Sequence, residues 1–84
     1  MATARDLRRR AERAGGASFS FRDFQRWIEQ EFPAYEEAAD DLNLYARRCW
    51  EVVEAHNRRA NTFEDARLQL QLLGKEVSVL FPGA

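Results

Sequence analysis

Two stretches of the chain repeat apolar residues at alternating intervals of three and four, and this rhythm constrains the fold more than any other feature. The first stretch comprises Tyr35, Ala38, Leu42, Tyr45, Cys49, Val52 and His56. The second comprises Phe63, Ala66, Leu70, Leu73, Val77 and Leu80. This spacing aligns side chains along one face of an α-helix, and Pro33 suits the first position of a helix. We therefore predict an antiparallel helical hairpin over residues 33–56 and 62–80.

Two further helices are predicted upstream of the hairpin. Ser18 or Ser20 can cap a helix that ends before Pro33 and whose apolar side is formed by Phe21, Phe24, Trp27, Ile28 and Phe32. Residues 3–14 form a weaker helix, with an apolar stripe of Ala4, Leu7, Ala11 and Ala14. Because alanine buries little area, we expect the Arg-rich N-terminal segment, residues 1–16, to be loosely attached or ordered mainly by a partner. The expected fold is all-α: residues 1–84 form one domain, a small three- to four-helix bundle built on the hairpin.

The end of the last predicted helix has two interpretations. Gly74 interrupts the apolar rhythm and costs roughly 1 kcal/mol relative to alanine in a helix interior. The helix therefore either bends or ends there. The β-branched run in residues 77–81 is compatible with a helix and also with an extended segment.

Length and composition limit the class of protein. A chain of 84 residues makes one small domain with a thin core, which association with partners can supplement. No apolar run approaches the ~20 residues that span a bilayer, and no apolar stretch of a secretory signal follows the N-terminal arginines. Cys49 is the only cysteine and cannot form an internal disulfide. We expect a cytoplasmic protein without a membrane association.

The residues that carry chemistry are poorly placed for catalysis or metal binding. Cys49 and His56 are seven positions apart, about 10.5 Å along a helix, which is too far for a thiolate–imidazole pair. Glu54 and His56 lie two positions apart, unlike the Glu-x-x-His pairs of metal-binding bundles. Glu37 could share a cation with Asp40 or with Asp41 at helical spacing, but no second helix offers an obvious inward acid. We therefore expect no enzymatic activity, no metal site and no cofactor.

Charge is segregated along the chain although the net charge is only −1. The acidic segment consists of Glu36, Glu37, Asp40 and Asp41, which lie beside the apolar rhythm, where folding does not need all four. The N-terminal segment offers a basic stripe of Arg5, Arg8, Arg9 and Arg13. We expect the acidic segment to bind another protein with a basic surface. The alternative is a nucleic-acid-binding accessory protein that uses the arginines; Asp6, Glu12 and the overall acidity make it less favoured.

Leu68 and Leu72 lie outside the apolar rhythm of the last helix, so this helix is apolar on a second side. A homodimer can cover that side, with Leu68 and Leu72 at the contact. A monomer can cover it by packing both leucines on Phe24 and Trp27. Both interpretations are open from the sequence. The features together favour a non-enzymatic protein-interaction module: a complex subunit, an assembly factor or a small inhibitor or regulator.

Overall fold

A computed structural model describes residues 2–84, and this range is all-α, as the sequence predicts. No strand occurs within it. The elements are α1 (Ala4–Glu12), α2 (Phe21–Glu31), a short 3-10 helix (Tyr35–Glu37), α3 (Asp41–Asn57) and α4 (Phe63–Leu80). In the same range, no helix combines the length and the apolar composition needed to cross a membrane.

Each α-helix in this range begins after a residue whose side-chain oxygen accepts a hydrogen bond from a backbone N–H in the first turn. These caps are Thr3, Ser20, Asp40 and Thr62. Of the two serines considered for α2, Ser20 is the cap. At α1 the arrangement is reciprocal, because the Asp6 carboxylate accepts from the Thr3 backbone N–H at 2.9 Å. Local side-chain chemistry therefore sets where the helices start.

The predicted start of the third helix at Pro33 is wrong. Residues 33–40 fold into a turn and the 3-10 helix, and Ala38 then adopts a left-handed conformation with φ 48°. Helix α3 begins at Asp41 because Asp40 supplies a side-chain cap, accepting from the Asn43 N–H at 2.8 Å. A helix continuous from Pro33 lacks such a cap. The turn also buries Tyr35, which is 8% exposed.

Helix α4 continues through Gly74 to Leu80, so the helical interpretation of residues 77–80 is correct and the extended one is wrong. Gly74 is buried and faces α1. A Cβ atom placed on it would lie 3.3 Å from the Arg8 carbonyl oxygen and 3.5 Å from the Ala11 Cβ. The glycine therefore lets two helix backbones approach closely, which accounts for a residue that is unfavourable in a helix interior.

The hairpin of α3 and α4 forms the centre of the bundle, with α2 packed on α3 and α1 packed on α4. Side chains from all four α-helices meet in one core, whose largest fully buried members are Leu7, Ile28, Cys49, Val53, Leu70 and Val77. The contact of α1 with α4 is the most extensive between any two elements described. It is closer than the alanine-rich stripe of α1 led us to expect. How strongly this contact stabilises α1 against unfolding stays a prediction.

Candidate functional site

The acidic segment is not one face of a helix. Glu36 and Glu37 lie in the 3-10 helix, and the left-handed Ala38 then turns the chain before Asp40 and Asp41. The four acids therefore do not lie in the first turns of one helix, as the predicted helix from Pro33 would have placed them.

Two of the four acids already have partners within the fold. Asp40 caps α3, and the hydrogen bond from the Asn43 backbone N–H lowers the pKa of its carboxyl group. The Glu36 carboxylate accepts a hydrogen bond from the Tyr35 hydroxyl at 3.2 Å. Glu37 and Asp41 are exposed, and within residues 2–84 their carboxylates make no hydrogen bond or ion pair. These two are therefore the carboxylates best placed for an external partner.

The fold brings further acids to this region, around an aromatic pair. The rings of Tyr35 and Trp50 lie 5.5 Å apart, and the Trp50 indole Nε1 donates to Glu29 at 2.9 Å. Burial raises the pKa of Tyr35, and the charges of Glu36, Glu29 and Glu54 raise it further. We call Glu29, Tyr35, Glu36 and Trp50 the acidic–aromatic face.

A shallow cleft of about 330 Å³ opens beside this face, lined by Tyr35, Glu36, Arg47, Trp50 and Glu51. Glu29 is a member of the face that the sequence does not predict. It lies 21 residues from Trp50 on a different helix, so no local spacing links the two. Only the reversal of the chain at residues 33–40 joins them.

The basic stripe is partly used inside the molecule. Arg5 donates to the Gly83 carbonyl oxygen at 3.0 Å, and Arg8 pairs with Glu12 at 2.6 Å. Within residues 2–84, Arg9 and Arg13 are exposed and make no side-chain hydrogen bond or ion pair. Arg10, which the sequence analysis did not select, lies over the Trp27 ring at 4.4 Å.

Leu68 and Leu72 lie on the solvent side of α4. They are 50% and 61% exposed, and Val79 is 77% exposed. Each of the three lies two positions from a fully buried residue, Leu70 or Val77, which is about 200° around a helix. We call Leu68, Leu72 and Val79 the outer strip. The monomeric alternative, in which Leu68 and Leu72 pack on Phe24 and Trp27, is wrong because both leucines face away from the core.

The outer strip continues into a groove between α3 and α4. The groove has a volume of about 380 Å³ and an apolar floor, and its lining comprises Arg48, Glu51, Val52, Ala55, Gln69, Leu72, Leu73 and Glu76. Leu72 belongs to both features and therefore joins the strip to the groove, whose lining is half apolar and half polar or charged.

Cys49 and His56 occupy packed positions. Cys49 is fully buried, and burial raises the pKa of its thiol to about 12, so the thiol is protonated at neutral pH. The His56 ring lies 4.8 Å from Phe21 and 6.5 Å from Phe63. Across the part of the chain that the structure describes, no three His, Cys, Asp or Glu side chains come together as a metal site would require.

Comparisons with protein-family models, with curated proteins and with solved structures found no significant match to the chain. Its function is therefore argued from its own surfaces.

Proposed function

We propose that this protein is a non-enzymatic interaction module that binds another protein through a helical face. The observation that carries the proposal is the outer strip. Three large aliphatic side chains, each at least half exposed, lie together on the longest helix and on the side opposite the core. These side chains do not pack in the core, and their exposure to water is unfavourable unless a partner covers them.

The size and shape of this surface support a helical partner. Isolated exposed leucines are common on protein surfaces, but contiguous apolar patches edged by polar residues are typical of interaction sites. An amphipathic helix binds such a groove by placing apolar anchors at intervals of three and four. The same surface suits a complex subunit, an assembly factor or a small inhibitor.

The test is a pull-down from the source cells after nuclease treatment. It compares the wild type with the Leu68→Ser/Leu72→Ser variant. Leu80→Ser is the matched control, because Leu80 is 48% exposed on the same helix but lies about 80° around from Leu72. We expect a protein partner that the double variant loses and the control keeps. Equal capture by all three proteins would contradict the proposal.

A second surface, the acidic–aromatic face with the neighbouring Glu37 and Asp41, supports binding to a basic protein. Carboxylates around a half-buried tryptophan combine charge steering with an aromatic anchor. We expect Glu37→Gln/Asp41→Asn to weaken this binding without changing helix content, and added salt to weaken the wild-type complex. The matched control is Asp23→Asn/Glu31→Gln, which removes two carboxylates beside the arginines of α1. An equal effect of both pairs would count against a specific acidic site.

Nucleic-acid binding by α1 stays the alternative proposal, with less support. Arg5 and Arg8 have partners within the fold, which leaves Arg9 and Arg13 as the available members of the stripe. Affinity for nucleic acid rises with the number of phosphates that a basic surface neutralises. Loss of retained nucleic acid in an Arg9→Gln/Arg13→Gln variant, measured without nuclease, would favour the alternative.

A further inference from the structure

The outer strip has the pattern of a two-helix interface. Asp65, Leu68, Leu72, Lys75 and Val79 follow one another along α4 at intervals of three, four, three and four. All five are exposed. Such a row forms the contact line between two paired helices. Its apolar centre is Leu68 and Leu72, and the two positions next to them carry opposite charges.

We infer that the outer strip binds the outer strip of a second copy of this chain, with the two α4 helices antiparallel. In this register a two-fold axis passes at the level of residue 70. Leu68 then packs against Leu72 of the second copy, twice by symmetry. Asp65 faces Lys75 of the second copy, also twice. Val79 lies beyond the end of the overlap, opposite residue 61, so Leu68 and Leu72 form the apolar part of the contact. The inference rests on the proposed role of the strip as a docking surface and names its occupant.

Charge complementarity selects both the occupant and the orientation. Lys75 is the only lysine in the chain. Neither its ammonium group nor the Asp65 carboxylate makes an ion pair or a side-chain hydrogen bond in the part of the chain that the structure describes. The antiparallel register supplies a partner to each. A parallel pair would instead set Asp65 against Asp65 and Lys75 against Lys75, and like charges at a helix interface repel.

The contact area indicates how strong the dimer is. In this register residues 63–77 of the two α4 helices overlap, which gives a contact strip about 22 Å long and about 10 Å wide. This is smaller than the roughly 800 Å² per partner of a typical stable interface. We therefore expect a weak, reversible dimer and not a permanent one.

Sedimentation equilibrium of the purified full chain, from low micromolar to several hundred micromolar, tests the dimer. We expect a monomer–dimer equilibrium that Leu72→Ser abolishes over this range and Leu80→Ser leaves within about twofold. A wild type that stays monomeric throughout overturns the inference, and so does a dimer that Leu72→Ser does not weaken. Circular dichroism of each variant shows whether it remains folded.

Charge reversal tests the register. Asp65→Lys and Lys75→Asp each place like charges opposite one another, and each should weaken the dimer by roughly fivefold. A mixture of these two variants, or the double variant Asp65→Lys/Lys75→Asp, restores opposite charges and should recover wild-type affinity. In a parallel dimer like charges would face one another in the wild type and in every one of these variants, so the single variants would not weaken it. Single variants with wild-type affinity, or a double variant that fails to rescue, therefore overturn the antiparallel register.

The sedimentation and pull-down experiments together distinguish failure of this inference from failure of the proposed function. A wild type that is monomeric in sedimentation, while Leu68→Ser/Leu72→Ser loses a partner from the cell extract, overturns only the second-copy occupant. If Leu68→Ser/Leu72→Ser keeps both the dimer and the partner from the cell extract, both proposals are overturned.

Discussion

Ala38 has a backbone conformation that alanine rarely adopts. Its φ is 48°, and Arg59 is the other non-glycine residue with positive φ within residues 2–84. The left-handed region costs a residue with a Cβ about 1–2 kcal/mol, whereas glycine enters it without a steric penalty. Replacing alanine by glycine also increases the conformational freedom of the unfolded chain, which offsets part of this gain.

We expect Ala38→Gly to raise the free energy of unfolding by about 0.5–1 kcal/mol. Urea unfolding at low micromolar concentration measures the change. Ala39→Gly is the matched control, because Ala39 is adjacent and its φ is not positive. It should be neutral or destabilising. A lower stability in Ala38→Gly than in the wild type would show that the left-handed conformation is not strained.

Asp40 links the stability of α3 to pH. Its hydrogen bond from the Asn43 N–H lowers the pKa of the carboxyl group in the folded state. This contribution to stability is therefore present above the unfolded pKa of about 3.9, and it is lost as the pH falls through the lower folded pKa. Asn and Ser also cap helices but do not titrate in this range. We expect Asp40→Asn and Asp40→Ser to show a smaller fall in urea midpoint between pH 5 and pH 2.5 than the wild type. An identical fall in all three proteins would exclude Asp40 as a source of the pH dependence.

At the scale of elements, the contact of α1 with α4 depends on Gly74. Larger side chains there would force the helices apart, because the Arg8 carbonyl oxygen would lie 3.3 Å from even a Cβ atom. We expect Gly74→Val to lower the free energy of unfolding by about 1–3 kcal/mol. Ser78→Val, at an exposed position of the same helix, controls for the helix propensity of valine. A loss no larger than that of the control would mean that α1 is loosely attached, as its alanine-rich stripe suggested.

The sequence predicts the elements well where the apolar rhythm and the caps agree. Thr62 caps α4, and the predicted Ala66, Leu70 and Val77 are buried in it. The prediction fails at residues 33–40, where a suitable proline and an apolar rhythm compete with the cap of Asp40. A local pattern cannot weigh these signals, because the turn that leads to the Asp40 cap also buries Tyr35 beside Trp50, a residue distant in the sequence. The acidic–aromatic face depends on that same long-range contact.

At the scale of the whole molecule, one core joins all four helices of the described range, with Leu7 of α1, Ile28 of α2 and Cys49 of α3 in the same cluster as Leu70 of α4. A domain of 84 residues has a free energy of unfolding of roughly 4–13 kcal/mol. Leu70 is fully buried, so Leu70→Ala should remove about 2–5 kcal/mol of this. Leu42 is only half-buried, so Leu42→Ala should lower the free energy of unfolding by a smaller amount.

A shared core also predicts that the four helices unfold together. Trp27 contacts Arg10 of α1, so the experiment uses a Trp27→Phe background, in which the fluorescence of Trp50 reports α3, whereas circular dichroism at 222 nm reports all of the helices. In this background, with and without Leu70→Ala, we expect the two signals to follow one urea transition, as two-state unfolding requires. Measurements at about 2 µM keep the proposed dimer dissociated and the midpoint independent of concentration. If α1 unfolded separately, circular dichroism would fall before the fluorescence changed, and Leu7→Ala would then leave the main transition at its wild-type midpoint. A single coincident transition that Leu7→Ala moves to lower urea would instead show that α1 is part of the cooperative unit.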